Sequence, residues 1–230
     1  MLRPLAVGLL IIIAGIYIEK PGPYRVLTPE AFGLTEVAAG VFTDEPRQAP
    51  ELLSLIRKAR SNSAVFFGTT GASPRIVVCR TRDCAQTFDL RTLGLAAGYH
   101  YMLIGPQGVN ERTLTHEFAH IDLHATQGLL QQATNRYPLW FDEGLASYVA
   151  GDQRFLRGSA RDAAWVRWAY NSRRWNQLID QRSVRDVYGA ATGLVTEVAE
   201  RHGEGGLKDL VRRVAEGADF DTEYARMMGL

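Results

Sequence analysis

Thr113-Leu-Thr-His-Glu-Phe-Ala-His-Ile-Asp-Leu-His124 carries the reading from which the fold can be built outward. Leu114, Phe118, Ile121 and Ala125 recur at helical spacing, so the segment is expected to be an amphipathic helix with that stripe in a core. His116 and His120 lie on the other side, four residues and hence about 40° apart around the axis, one turn up. Their imidazoles can share one ion. Glu117 points about 100° away from His116, aside from that ion but within reach of a water beside it, which is where a general base belongs.

A second element follows at Pro138-Leu-Trp-Phe-Asp-Glu-Gly-Leu-Ala-Ser-Tyr148. Pro138 suits a helix start, and Phe141, Leu145 and Tyr148 form an apolar stripe that leaves Glu143 and Ser147 on another face. Glu143 is the candidate third ligand. Gly144 removes a side chain where two helices must approach for that carboxylate to reach the ion. Two imidazoles and one carboxylate leave a tetrahedral zinc one open position, the catalytic rather than the structural arrangement.

His-Glu-Phe-Ala-His followed by Trp-Phe-Asp-Glu-Gly-Leu-Ala-Ser-Tyr resembles the gluzincin zinc metallopeptidases, the clan of thermolysin and aminopeptidase N, most of all their small bacterial peptidase-MA-like members. The resemblance implies an α+β, zincin-like fold, with an N-terminal lobe holding a small mixed sheet and the active-site helix, and a C-terminal helical lobe. It implies a single Zn2+ on His116, His120 and Glu143, with Glu117 as catalytic base. Twenty-two residues separate His120 from Glu143, a few more than in the clan, so the connection from Gln127 to Arg136 is expected to loop out. Ser147 stands four after Glu143, as in the aminopeptidase-like branch, where thermolysin relatives carry an Asp that orients a histidine. Which groups orient the ligands here is left open. The Gly-x-Met-Glu-Asn segment with which aminopeptidases grip a free amino terminus is missing. Tyr188, in Val-Tyr-Gly-Ala-Ala-Thr-Gly at a helix start, is similar in placement to the clan's oxyanion-stabilising tyrosine. Tyr148 and His202 are its rivals, and core packing is the alternative role for Tyr188.

The 230 residues are 46% apolar and 22% charged, enough for one substantial core and a domain of two lobes. A net charge of +1 gives no electrostatic case for nucleic acid. Arg3 precedes an unbroken apolar run from Leu5 to Ile18, closed by Glu19-Lys20-Pro21. As a helix the run reaches about 21 Å, short of a hydrocarbon core of roughly 30 Å. Bulky Ile16, Tyr17 and Ile18 stand where a cleavage site would need small residues. Residues 1–20 are therefore read first as an uncleaved signal anchor, next as a cleaved signal and last as a buried helix. The expected location is the inner membrane, with the catalytic domain facing the periplasm or exterior.

Residues 21–50, with five prolines, read as a tether and lead-in with a short helix near Thr35 to Val41. The metallopeptidase domain is expected over 51–230, divided into a sheet lobe with the metal helix, 51–127, and a helical lobe, 128–230. Glu51 to Arg60 predicts a helix; Ala64 to Phe67, Arg75 to Cys79 and Gly98 to Ile104 predict strands. The resemblance makes the last an edge strand beside the metal helix, able to pair with an extended peptide; the alternative is a plain sheet strand. Cys79 and Cys84 suit a local disulfide in an exported domain, or two free thiols otherwise. Helices are expected at Ser159 to Tyr170, Arg182 to His202 ended by Gly203, Leu207 to Val214 and Phe220 to Met228. His124 is too far along the axis to join His116 and His120 on one ion. His100 faces substrate or is structural. Asp122, Asp142 and Glu111 orient ligands or cap helices.

These parts imply zinc-dependent peptide-bond hydrolysis by a membrane-anchored endopeptidase acting on peptides or proteins, with Glu117 activating a zinc-bound water. The alternative is a peptide- or partner-binding module on the same scaffold without turnover. The oligomeric state stays open.

Overall fold

The computed structural model describes residues 25–127, 136–155 and 163–230. Within them the chain builds an α+β fold around a small mixed sheet of five strands: β1 (Thr35–Ala38), β2 (Val41–Thr43), β3 (Arg75–Val78), β4 (Gly94–Ala97) and β5 (Tyr101–Ile104). The spatial order is β1-β2-β3-β5-β4; β2, β3 and β5 run parallel, and the two edge strands are antiparallel to their neighbours. Ile76, Val77, Val78, Met102, Leu103 and Ile104 are all buried. Such unbroken apolar runs belong to strands covered on both faces.

One face is covered by α1 (Ala49–Phe67) and by α3 (Glu111–Ala125), whose Leu114, Phe118 and Ile121 pack with Leu52, Ile56 and the sheet. Each such fully buried side chain contributes about 1.5–3 kcal/mol, so this stripe holds the histidine face in place. The other face is covered by α2 (Arg82–Thr87) and by the single turns Arg25–Leu27 and Pro29–Phe32, with Val26, Leu34 and Phe88 buried. Cys79 and Cys84 form a disulfide across the β3–α2 connection.

A second core joins α4 (Leu139–Val149), α5 (Ser172–Gln181), α6 (Val184–Ala215) and α7 (Phe220–Met228). Leu123 of α3 belongs to it, so α3 has one apolar edge in each core. α6 comprises the two helices expected at Arg182 to His202 and Leu207 to Val214, joined across a kink at Gly203 with φ +71° and ψ 166°. A Cβ on Gly144 would lie 2.6 Å from the Ala191 carbonyl oxygen. The close approach that this glycine permits is thus between α4 and α6, not between α4 and α3.

Four local expectations are corrected. Thr35 to Val41 is not helical but the β1–β2 hairpin, because β-branched Thr35, Val37 and Val41 flank a turn in which Gly40 adopts φ +73°. Ala64 to Phe67 is the end of α1 rather than a strand: Leu52, Ile56, Ala59, Ser63 and Phe66 are buried at helical period, and Gly68 ends the run. Gly98 to Ile104 is not one edge strand. Gly98 to His100 turn the chain, Tyr101–Ile104 is interior, and the edge is Gly94–Ala97, whose glycine and alanines carry little β signal. Ala163–Trp168 is a 3-10 segment, while 156–162 lie outside the described residues. The helix α5 was not expected.

The lead-in supplies β1, β2 and the Val26 and Leu34 side chains to the fold. The apolar run Leu5 to Ile18 and the connection 128–135 lie outside the described residues. Among the described residues, no helix is long and apolar enough to cross a membrane.

Candidate functional site

The helix α3 is seated by polar ties as well as by its apolar stripe. Asn110 caps it by accepting the Thr113 N–H at 3.0 Å. Asp122 accepts hydrogen bonds from Ser63 at 2.6 Å and Thr70 at 2.5 Å, and Glu111 pairs with Lys58 at 2.6 Å. These two acids fasten α3 to α1 and its following loop and take no part in the site. On α4, the free N–H groups of Leu139 and Trp140 donate to the carbonyls of Tyr170 and Ala169, at 3.3 and 3.0 Å. That end of the helix is therefore anchored just before Glu143.

The structure brings His116, His120 and Glu143 together. Their donor atoms all lie within 4.8 Å of one another. The two Nε2 atoms are 3.1 Å apart, and Glu143 Oε2 is 3.3 Å from the first and 3.7 Å from the second. Glu143 Oε2 is buried and, among the described residues, has no hydrogen-bond partner. Burial pushes the Glu143 carboxyl up, but the two histidines outweigh it and hold it down to about 2. A buried, ionised oxygen without a donor, facing two imidazole nitrogens, suits a cation shared by all three.

Of the three acids that could orient a ligand, Asp142 is the one beside the cluster. Its Oδ1 accepts from His120 Nδ1 at 2.6 Å and its Oδ2 contacts His124 Nε2 at 2.9 Å. With its Nδ1–H donated to Asp142, His120 turns the Nε2 lone pair towards His116 and Glu143. Burial raises the Asp142 carboxyl, but the two imidazoles outweigh it and hold it far below the usual carboxylate range. His124 is thus tied behind the cluster, not in it. Ser147 is fully buried with no hydroxyl partner among the described residues. The pointer to Asp142 was available in the sequence: His120 and His124 are four apart, and an acid adjoins the ligand Glu.

Glu117 lies beside the cluster at 5% exposure, under the edge strand. Burial raises its pKa; the charges of His116 and His120 and a backbone hydrogen bond from Ala96 of β4 oppose that rise. A Cβ on Gly94 would meet Glu117 Oε1 at 2.5 Å and its Cγ and Cδ at 2.8 Å. Only a glycine leaves the carboxylate its place. Gly94→Ala is therefore expected to displace the Glu117 side chain by on the order of 1 Å while leaving the fold intact. A structure of the variant checks this, and an unmoved Glu117 would free the carboxylate from that constraint.

Tyr188 reaches the site from α6. Its ring lies 6.3 Å from that of His116, stacks on Phe155 at 5.2 Å and meets Trp175 edge-on at 4.9 Å. Burial, then the charge and hydrogen bond of Glu143, raise its pKa well above the ordinary phenol value, so it stays a proton donor. The rivals do not reach the cleft: Tyr148 packs on Phe66, and His202 bonds the Met227 carbonyl at 2.8 Å. Exposed His100 stacks on Tyr99 and also lies outside the cleft.

His116, Glu117, His120, Glu143 and Tyr188 line one cleft of about 1200 Å³. No family model matches the chain. Over 114 residues it is similar to the Bacillus subtilis (strain 168) protein named "Uncharacterized protein YhcO", at 22% identity. The match covers 50% of this chain and 35% of that relative, so it spans about a third of the relative's length. No solved structure matches.

Proposed function

We propose that the chain is a zinc metallopeptidase of the gluzincin type, an endopeptidase acting on peptide or protein substrates. The reading rests on one observation above the others: Glu143 Oε2, buried and without a hydrogen-bond donor among the described residues, faces the Nε2 atoms of His116 and His120. His116, His120 and Glu143 would hold the zinc. Bound there, zinc supplies a Lewis acid that polarises the scissile carbonyl and makes water a better nucleophile.

The chain's own residues do the rest. Glu117 takes the proton of the attacking water on its carboxylate and hands it to the leaving amine. Tyr188, kept neutral by its raised pKa, donates its O–H to the oxyanion that develops. Asp142 keeps His120 in the tautomer that binds metal. The edge strand β4, beside Glu117, offers its outer backbone to an extended peptide. The apolar run Leu5 to Ile18 and the Cys79–Cys84 disulfide support an envelope location, with the N-terminal segment in the inner membrane and the domain in an oxidising compartment.

Zinc content decides the matter before any substrate is known. The purified protein is expected to carry about one zinc per chain, removable by chelation and restored by added zinc. Folded protein that stays empty when offered zinc would leave a peptide-binding scaffold instead.

A further inference from the structure

The cleft that holds the metal cluster is lined by five arginines, Arg80, Arg82, Arg91, Arg112 and Arg154, and by no lysine. The whole chain carries a net charge of only +1, so this concentration of guanidinium groups is local. Of the four carboxylates in the same lining, Glu117, Asp142 and Glu143 are committed to the metal cluster and its immediate surroundings. The fourth, Asp152, is 2% exposed and follows α4.

Asp152 organises two of the arginines. Arg154 clamps it with both faces of its fork, Nε to Oδ1 at 2.9 Å and to Oδ2 at 3.1 Å, with its Nη2 also on Oδ2. Arg112 Nη1 approaches the same Oδ1 at 3.4 Å. Burial raises the Asp152 carboxyl, but the Arg154 hydrogen bonds and both arginine charges prevail and keep it ionised. One carboxylate thus holds two guanidiniums and leaves one positive charge over. Arg154 consumes its fork in that clamp. Arg112 spends a single long contact, its side chain is 47% exposed, and its remaining N–H groups have no partner among the described residues.

Position ties this pair to the chemistry. Arg112 lies one helical turn before His116, on the same side of α3. The Arg154 guanidinium packs 5.0 Å over the Phe155 ring, which stacks on Tyr188. The surplus charge therefore sits on the cleft wall between the metal helix and the tyrosine. A planar fork with free donors is matched by a carboxylate, which can take two parallel hydrogen bonds.

We propose that Arg112, with Arg154 and Asp152 behind it, forms a subsite for a carboxylate of the substrate, so that the protein acts next to an acidic side chain or a free carboxyl terminus. The inference rests on the metallopeptidase reading and names the substrate class of that site.

Binding of peptidyl hydroxamates to zinc-loaded protein tests it without turnover. Two matched pairs are needed, one differing by Glu against Gln in the side chain, the other by carboxylate against carboxamide at the terminus. In one pair the charged member is expected to bind at least about tenfold more tightly, as a charge-assisted hydrogen bond in a cleft gives, and that pair identifies which carboxylate is used. Arg112→Gln should bring the preference to within about twofold and leave the neutral members unchanged; the Arg154 fork still neutralises Asp152, and thermal melting checks the fold. Arg112→Lys keeps the charge without the fork and should retain part of the preference. Equal binding of charged and neutral members by zinc-loaded protein overturns the subsite alone, as does a preference that survives Arg112→Gln. Folded protein that takes up no zinc removes the metallopeptidase reading, and this subsite's role with it.

Discussion

Glu117→Gln is expected, on the proposed metallopeptidase reading, to lower peptide hydrolysis by roughly 10²–10⁴-fold, the usual worth of a general base, while any bound zinc is retained. The amide keeps the shape of the carboxylate and can still accept the Ala96 N–H, so β4 and α3 have no cause to separate. What disappears is the basic oxygen beside the cluster. Removing a buried ionisable group costs no stability here, because burial already disfavours its charged form. Rates and metal analysis on one preparation check all of this; a variant that keeps both zinc and full activity would strike Glu117 from the mechanism.

On the proposed three-ligand site, Glu143→Ala and Asp142→Ala are expected to weaken zinc binding to different extents. Removing Glu143 deletes one of three donors and the only carboxylate in the cluster, and should lower affinity by more than about 10²-fold. Removing Asp142 touches no ligand. It releases His120 Nδ1 from its 2.6 Å partner, so the ring loses its fixed tautomer and orientation, a change worth about 10- to 100-fold in affinity. Competition against a chelator of known affinity separates the two. Wild-type affinity in Asp142→Ala would show that α3 alone orients His120.

The metal helix was legible because its periodicity is local. Leu114, Phe118 and Ile121 repeat at the helical period and His116 and His120 share the other face, so both the buried stripe and the ligand pair follow from helix geometry alone. Glu143 was legible through a motif, and the disulfide was one of the two states that the cysteine pair left open. The edge strand was misplaced because Gly94-Leu-Ala-Ala97 has almost no strand propensity. Its glycine is set by the Glu117 carboxylate lying against it, a contact between residues distant in sequence. Ala64 to Phe67 misled for the opposite reason: the local run looks β-forming, and packing of Phe66 into the helical core overrides it.

The sequence by itself determined which side chains can meet on one turn of a helix, and hence that His116 and His120 share one face with Glu117 beside them. Only the tertiary structure decided how α3 faces α4 and α6. That packing made Asp142, and not Asp122 or Glu111, the partner of His120, brought Tyr188 and neither Tyr148 nor His202 beside His116, and set Arg112 against Asp152. The reason is physical: a helical period is a property of neighbours in the chain, whereas the orientation of one helix against another depends on the side chains of both and on the gaps, such as those at Gly94 and Gly144, that let them approach.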